Sequence, residues 1–361
     1  MDSRFPARAR LSPPQRVAVL RALKLGDMLC AVPALRALRL AWPKAEIVLI
    51  GLPWASEFAA RFSDYIDDFR ELPGYPGLAE QEPQPARFAA FLADMQRQPL
   101  DLAIQLHGSG VVSNPLVMLL GARQAAGFYV PGQYCPSPAT FAPWPERGLE
   151  VDRLLALIEF LGLPARGRGL EFPLDERDLA ELDSLPEADN LVPGRYVCIH
   201  PGASTPLRRW PPLRFAAVAD RLAGLGYTIV LTGVDCERSL TGEVAAAMER
   251  PAIDMTGRLR VGGVAALIGG AALLVATDTG VSHVAAALEP PSVVISTGDN
   301  PQRWAPASRR LHRVLSSPSG VCEDDVWCAA NSLLDPLDRP HLAGRPRARS
   351  VPSSRDPAFS H

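Results

Sequence analysis

The stretch Ala271-Ala-Leu-Leu-Val-Ala-Thr-Asp278-Thr279-Gly280-Val-Ser-His283-Val-Ala-Ala-Ala-Leu288 sets the pattern of the chain. It opens with an apolar run of strand length, turns at a polar segment containing glycine, and continues as a small, Ala-rich segment with helical preference. Strand, turn and helix N-terminus in that order make a natural anion site. The first N–H groups of a helix have no partner inside it, and the macrodipole adds partial positive charge there. Asp278 and Thr279 fall where N-cap residues fall, and His283 follows one turn into the helix. An ordinary βα unit whose Asp only caps the helix has the same outline. What stands beside the stretch therefore has to decide between the two.

Working outward, the same unit recurs. Apolar runs at 17–23, 47–50, 66–69 and 102–105 alternate with helical patterns at 29–41, 55–62, 86–98, 111–120 and 151–161. In the second half, strands at 196–200, 228–231 and 293–296 go with a helix at 213–225, and 261–276 reads as a helix followed by a strand. This alternation predicts an α/β protein with parallel sheets covered by helices on both faces. Residues 127–145, rich in Pro, Gly and aromatics, read as a long loop. The acidic, Pro-bearing span 171–194 is weakly periodic and suits an inter-domain boundary. Beyond about residue 316 the pattern fades, and no closing helix is recognisable. The expected division is a disordered tail at 1–14, domains at 15–190 and 191–330, and a disordered basic tail at 331–361. Two successive doubly wound halves predict a cleft at the carboxyl ends of both sheets, where such sheets bind ligands.

The totals limit the classes of function. A chain of 361 residues is long for a single core, so two domains are expected. Hydrophobic content of 47% with 21% charge is that of a soluble globular protein. A net charge of −2 and a pI near 6.3 argue against a dedicated nucleic-acid partner. The six cysteines show no CxxC spacing and read as thiols in a reducing compartment. The first 14 residues lack the apolar core of a signal peptide. The apolar stretch at 261–276, broken by Gly269-Gly270, is too short to span a bilayer.

Four loops at expected strand ends carry polar groups: Gly26-Asp27, 202–209, 233–237 and 278–283. Together they suit a nucleotide diphosphate. Arg208 and Arg209 can neutralise phosphate charge, the N–H groups near Thr279 and Gly280 can cradle oxygens, and Asp235 or Glu237 can accept from ribose hydroxyls. Taken singly, each has an ordinary structural counterpart, such as a surface turn or an acid serving a helix dipole. Their joint placement at strand ends is what points to a site. Neither GxxxxGK[ST] nor a Gly-x-Gly-x-x-Gly after the first strand is present, so a P-loop ATPase and a nicotinamide enzyme are unsupported. Gly-x-Ser-x-Gly and HExxH are also missing, and no His/Cys cluster suggests a metal.

Lys24-Leu-Gly-Asp27-Met-Leu-Cys-Ala-Val-Pro33-Ala-Leu-Arg36 resembles the N-terminal signature of glycosyltransferase family 9, the ADP-heptose:lipopolysaccharide heptosyltransferases. Pro201-Gly-Ala-Ser204, Arg208-Arg-Trp210-Pro211, Met255-Thr-Gly257, the 278–287 stretch and Pro301-Gln-Arg303-Trp304-Ala-Pro306 resemble further motifs of that family, in its order, over about residues 17–314. The resemblance implies a GT-B fold, two Rossmann-like doubly wound domains facing a cleft, and inverting, metal-independent transfer that needs no cofactor beyond the ADP-sugar donor.

The resemblance also implies residue roles. Asp27 is the general base on the acceptor side, and Arg208 holds the departing diphosphate. Ser204 and Thr205 form the phosphate-side loop, with Arg209 also in the donor-binding set, Glu237 binds ribose, and Met255, Thr256 and Gly257 line the adenine pocket. Thr279 and Gly280 form the turn that cradles phosphate, and Asp278 and His283 of the same motif belong to the donor-binding set. The family usually has Lys where this chain has Arg208, which keeps the charge but changes reach and geometry. The implied acceptor is a lipopolysaccharide core or another saccharide or lipid-linked glycan, reached in the cytoplasm at the inner face of the bacterial inner membrane. Arg4, Arg8, Arg10 and Arg16 and the basic C-terminal tail are candidates for contact with anionic lipid. A GT-B sugar-nucleotide epimerase and a non-catalytic nucleotide-sugar-binding protein remain alternatives.

Overall fold

The computed structural model describes residues 11–298 and 300–334. The chain forms two compact units. One comprises the described residues of Met1–Leu170 together with Gln302–Ala307, the other those of Glu171–Pro301 and Ser308–His361.

The first unit contains β1 (Arg16–Leu20), α1 (Leu25–Ala41), β2 (Glu46–Gly51), α2 (Ala55–Arg61), β3 (Asp68–Glu71), α3 (Pro85–Gln96), β4 (Leu102–Gln105), α4 (Ser113–Leu119), β5 (Gln124–Tyr129), β6 (Phe141–Pro143) and α5 (Glu150–Phe160). All strand pairs are parallel, in the order β3-β2-β1-β4-β5-β6. Every residue of β1 is buried. A central parallel strand covered on both faces must be apolar throughout rather than alternating, which is why 17–20 reads as one uninterrupted run. Each fully buried Val or Leu there stabilises the fold by roughly 1.5–3 kcal/mol.

The second unit contains α6 (Glu176–Asp183), β7 (Tyr196–His200), α7 (Pro212–Gly224), β8 (Thr228–Leu231), α8 (Arg238–Ala247), β9 (Ala252–Asp254), α9 (Val261–Gly269), β10 (Leu273–Thr277), α10 (Gly280–Leu288) and β11 (Ser292–Ile295). After β11 comes α11 (Pro301–Trp304), which leads into the Gln302–Ala307 segment of the first unit, and then β12 (His312–Leu315) and α12 (Glu323–Leu334). This sheet is also all parallel, in the order β12-β11-β10-β7-β8-β9. Counted within its own unit, each sheet has the strand order 3-2-1-4-5-6 of a dinucleotide-binding fold. The order reverses between β1 and β4 in one unit and between β7 and β10 in the other. The loops after those four strands are where such sheets hold ligands.

Several elements differ from the expectations. Helix α1 begins at Leu25 rather than 29, so Gly26 and Asp27 lie inside its first turn. Residues 127–145 are not one long loop. Gly127 pairs with Phe141, and the buried Phe128 and Phe141 secure the short strand β6. Pro143 is tolerated there because β6 is an edge strand, where a missing N–H donor costs no ladder bond. The chain passes between units at Leu170/Glu171, ahead of the 190/191 division. Residues 171–190 join the second unit because α6 packs on α9 and the Glu181 carboxylate accepts from the Arg260 N–H at 3.0 Å. A reciprocal cap opens α6: Asp175 accepts from the Asp178 N–H and Asp178 from the Asp175 N–H.

A closing helix does exist. Helix α12 buries Val326, Ala330, Leu333 and Leu334 and packs on α7, and the Trp210 indole donates to the Val321 carbonyl at 2.9 Å just ahead of it. The expected tails fall largely outside the described residues, but 331–334 are the last turn of α12. No described helix is long and apolar enough to cross a membrane. Of the arginines proposed for lipid contact, Arg4, Arg8 and Arg10 lie outside the described residues. Arg16 is buried beside Glu46 and donates to the Gln98 carbonyl, so its charge is already engaged.

Candidate active site

In the first unit the site grows from the end of β1. Arg21, the next residue, is 0% exposed. Its Nε donates to the Asp27 carbonyl at 2.8 Å, its Nη1 to the Leu106 carbonyl after β4, and its Nη2 to Glu150 Oε1 at 3.3 Å. One side chain thus ties the loops at both strands of the switch point to the start of α5. Glu150, 1% exposed, also accepts from Arg303 Nε at 2.8 Å. The Arg303 guanidinium lies 4.5 Å from the Trp304 ring centroid and 5.5 Å from that of Trp144, while Arg153 lies 5.2 Å from Trp144. Buried charges persist only when paired and hydrogen-bonded, and this cluster meets that condition.

Asp27 is the third residue of α1, and its carboxylate accepts from the Lys24 N–H at the N-cap. It serves the helix end from inside the first turn rather than from the cap position. Burial raises its pKa above the ordinary value. Arg21 opposes that shift, Glu150 adds to it, and Arg303 and the Lys24 N–H oppose it, with the balance upward. Burial also works to raise the Glu150 carboxyl, but Arg21 and Arg303 outweigh it and hold Glu150 below the usual range.

His107 follows β4. Its Nδ1 accepts from the Ala22 N–H at 3.2 Å, and burial together with the Arg21 charge brings its pKa down to about 4, so the ring is neutral at physiological pH. The buried Gln105 amide fixes this loop by donating to the His107 carbonyl at 2.6 Å and to Ser113 Oγ at 2.5 Å.

In the second unit the loops after β7 and β10 are joined directly. Thr277 Oγ1 donates to the Gly202 carbonyl. Arg208 bridges the same loops, giving Nη1 to Ser204 Oγ at 3.1 Å and Nη2 to the Asp278 carbonyl at 2.8 Å. Thr279 is the N-cap of α10 and makes no side-chain cap bond, so no hydroxyl or carboxylate covers the first turn at that position. Ser282 Oγ instead turns back to the Thr279 carbonyl at 2.7 Å. Asp278 is buried, and among the described residues its Oδ2 has no hydrogen-bond partner. Burial raises its pKa, against the pull of His283 and Arg208. His283 is buried too.

Glu237 is held under the neighbouring loops. Its Oε2 accepts from the Val234 N–H at 2.9 Å, and Gly202 packs so closely on the carboxylate that a side chain at 202 would collide with it. Asp235 faces outward and pairs with Arg238 at 2.7 Å. Met255 and Thr256 are buried, and Thr256 Oγ1 donates to Thr241 Oγ1 at 3.0 Å. Of the 255–257 segment only Gly257 reaches the surface, with φ +67° and its N–H on the Gly233 carbonyl. An adenine edge here would meet backbone rather than the Met255 and Thr256 side chains.

The structure thus brings Ser204, Arg208, Asp278, Thr279 and Gly280 together, with Glu237 beneath the adjoining loop. Thr205 is exposed beside them. Arg209 is not joined to the cluster, and its buried Nε has no hydrogen-bond partner among the described residues. No role was assigned from sequence to Arg21, Glu150, Arg303 or His107. The available signal was a charged residue placed directly after the central strand β1, where solvent is absent.

His107 and His312 make stability sensitive to acid. His312, held by Ser292 Oγ at 2.8 Å, is likewise lowered by burial from 6.5 to about 4. Unfolding lets each ring take a proton near pH 6.5, whereas the folded ring resists until about 4. Their contribution is complete above 6.5 and is lost as pH falls toward 4, about 3 kcal/mol for each ring. Asp27, with a raised folded pKa, works the other way, favouring the fold at low pH and losing that contribution as pH rises. Denaturant midpoints measured from about pH 7 to 4.5 should fall, and His312→Gln should flatten the fall. A midpoint independent of pH in this window would contradict both assignments.

Residues 90–326 match the family model of glycosyltransferase family 9 (heptosyltransferase). The chain belongs to glycosyltransferase family 9. It is 26% identical over 308 residues to Lipopolysaccharide heptosyltransferase 1 of Pseudomonas aeruginosa, covering 79% of each protein. Among solved structures it is similar to the glycosyl transferase family 9 protein of Veillonella parvula, with TM-score 0.75 and 23% identity over 89% of this chain and 97% of that one. It is also similar to the E. coli ADP-heptose lps heptosyltransferase II, with TM-score 0.69 and 21% identity over 88% and 98%. The family 9 chain is a glycosyltransferase with the GT-B fold of two Rossmann-like domains.

Proposed function

We propose that this family 9 enzyme transfers a heptose, or a closely related sugar, from an ADP-sugar to a lipopolysaccharide core or another cell-surface glycan, with inversion and without a metal. Its place would be the cytoplasm, at the inner face of the bacterial inner membrane. The observation that carries the donor side is Arg208, fixed by Ser204 and the Asp278 carbonyl beside the α10 N-terminus. Guanidinium and helix N–H groups together place fixed positive charge where a diphosphate gains negative charge on leaving. Glu237 serves the ribose hydroxyls.

On the acceptor side, Asp27 is the base. The acceptor hydroxyl gives its proton to the Asp27 carboxylate as its oxygen bonds to the anomeric carbon. The bond from that carbon to the diphosphate oxygen breaks on the opposite face, its electron pair leaving with ADP. One displacement inverts the centre, so a second carboxylate nucleophile has no part in it. Burial suits Asp27 to the task, because the desolvated carboxylate is a stronger base than one in water.

A thermal-shift screen of ADP-, UDP- and GDP-sugars tests the donor assignment. A ligand that binds only the folded state stabilises it by about 2.7 kcal/mol at a hundredfold excess over its Kd. ADP-sugars should raise the melting temperature and UDP- and GDP-sugars should not; the reverse order would reject the assignment. Turnover should also be unchanged by EDTA, since Arg208 and the α10 N-terminus supply the charge a metal would otherwise bring. Complete loss on chelation, restored by Mg²⁺ or Mn²⁺, would reject that part.

A further inference from the structure

We propose that Glu150 and Arg303 complete with Arg21 a charged triad that positions Asp27 and sets the pH at which the enzyme turns over. The proposal rests on Asp27 being the base. None of the three side chains need touch substrate, so they are positioning residues.

The geometry is that of a built device. Arg21 is fully buried and grips Asp27 by its backbone oxygen at 2.8 Å, so the base cannot shift without moving Arg21. Glu150 holds Arg21 with one carboxylate oxygen at 3.3 Å and Arg303 with the other at 2.8 Å. Arg303 is itself oriented by the rings of Trp144 and Trp304. The charges alternate: two arginines share one glutamate, and Asp27 provides the second negative charge. Other titratable groups lie beside Asp27 or beside members of the triad. Lys24 contributes its backbone N–H, Cys30 is a buried thiol whose pKa burial raises, and Arg153 sits across Trp144. His107 is neutral above about pH 4.

The sign of each arm follows from this arrangement. With Glu150 neutral, the two arginines act on Asp27 unopposed, so its carboxylate holds a proton less well. With Arg303 neutral, Glu150 keeps its charge but Asp27 loses one of two counter-charges, so the carboxylate holds a proton better. Both directions agree with the influences on Asp27, where Glu150 raises and Arg303 lowers its affinity for a proton.

The test is the pH profile of kcat/KM for the unaltered chain and for Glu150→Gln, Arg303→Gln and Arg303→Lys. The acid limb reports the base of the free enzyme. It should move to lower pH in Glu150→Gln and to higher pH in Arg303→Gln, each on the order of one pH unit. Arg303→Lys keeps the charge and should leave the limb near its wild-type position even if stacking on Trp144 is weakened. ADP binding, a property of the second unit, should be unchanged in all three. Shifts in the same direction, or none, overturn the proposal. Should Glu150→Gln fail to fold, Arg303→Gln alone decides, because Arg303 is partly exposed and its limb must still rise. Turnover surviving in Asp27→Asn would instead reject Asp27 as base, a failure of the proposed function rather than of the triad.

Discussion

Asp27→Asn should give a folded protein that binds ADP and transfers almost no sugar. Two roles meet in this carboxylate. At the third position of α1 it accepts from the Lys24 N–H, and in the role proposed above it takes a proton from the acceptor. Asn retains an oxygen that can accept from Lys24, so the helix end loses little. Removal of a helix-end contact outright costs only about 1 kcal/mol. Arg21 grips the Asp27 backbone carbonyl rather than the side chain, so that bond survives the substitution. The amide cannot take up a proton, and loss of general-base catalysis costs roughly 10²–10⁴ in rate. A single-turnover transfer assay beside a melting curve separates the roles. Near-normal turnover would place the base elsewhere, whereas a lost melting transition would make Asp27 chiefly structural.

Arg208→Ala should reduce kcat by roughly 10²–10³, the scale of losing one preorganised electrostatic contact. Arg208 does two things at once. It bridges the loops after β7 and β10 through Ser204 and the Asp278 carbonyl, and each Nη carries a second N–H. Arg208→Lys should recover part of the loss, because an ammonium keeps the charge but cannot span both partners as the planar fork does. A rate in the alanine variant equal to wild type would reduce Arg208 to a loop fastener. ADP affinity measured alongside shows whether the loss falls on ground-state binding or on the departing charge.

Much of the fold was legible because parallel strands buried on both faces read as unbroken apolar runs: β4, β7 and β8 lie where the residues place them. The loops after β7 and β10 were legible too, since 202–209 and 278–283 stand out as polar interruptions, whereas Gly26-Asp27 falls inside the first turn of α1. What escaped was mostly short or non-local, although the six-residue β5, with Gln124 exposed and Gly127 within it, also lacks a clear apolar run. Strands β6 and β9 have three residues each, too few to show a period, and both are edge strands fixed by their neighbours. In α12 the buried positions fall at Val326, Ala330, Leu333 and Leu334, but acidic residues at its start and small ones between blur the stripe. The resemblance implies that Met255 and Thr256 line a pocket, and tertiary packing turns both side chains inward. Arg21, Glu150 and Arg303 lie far apart in the chain, so no local pattern could join them. Arg21 is marked by its place directly after β1, whereas Glu150 and Arg303 become conspicuous only once their partners are known.

The return of Gln302–Ala307 to the first unit bears on how family members can be dissected and recombined. A gene fragment ending at Leu170 would encode every strand of the first sheet but omit Arg303 and Trp304. Glu150 would keep one arginine of two, and Trp144 would lose a cation from its ring face. Exchanging the first 170 residues between relatives at a single crossover would likewise join an Arg303 from one parent to a Glu150 and Trp144 from the other. Chimeras that carry both pieces from the same parent respect the molecule's own division, which is spatial rather than linear.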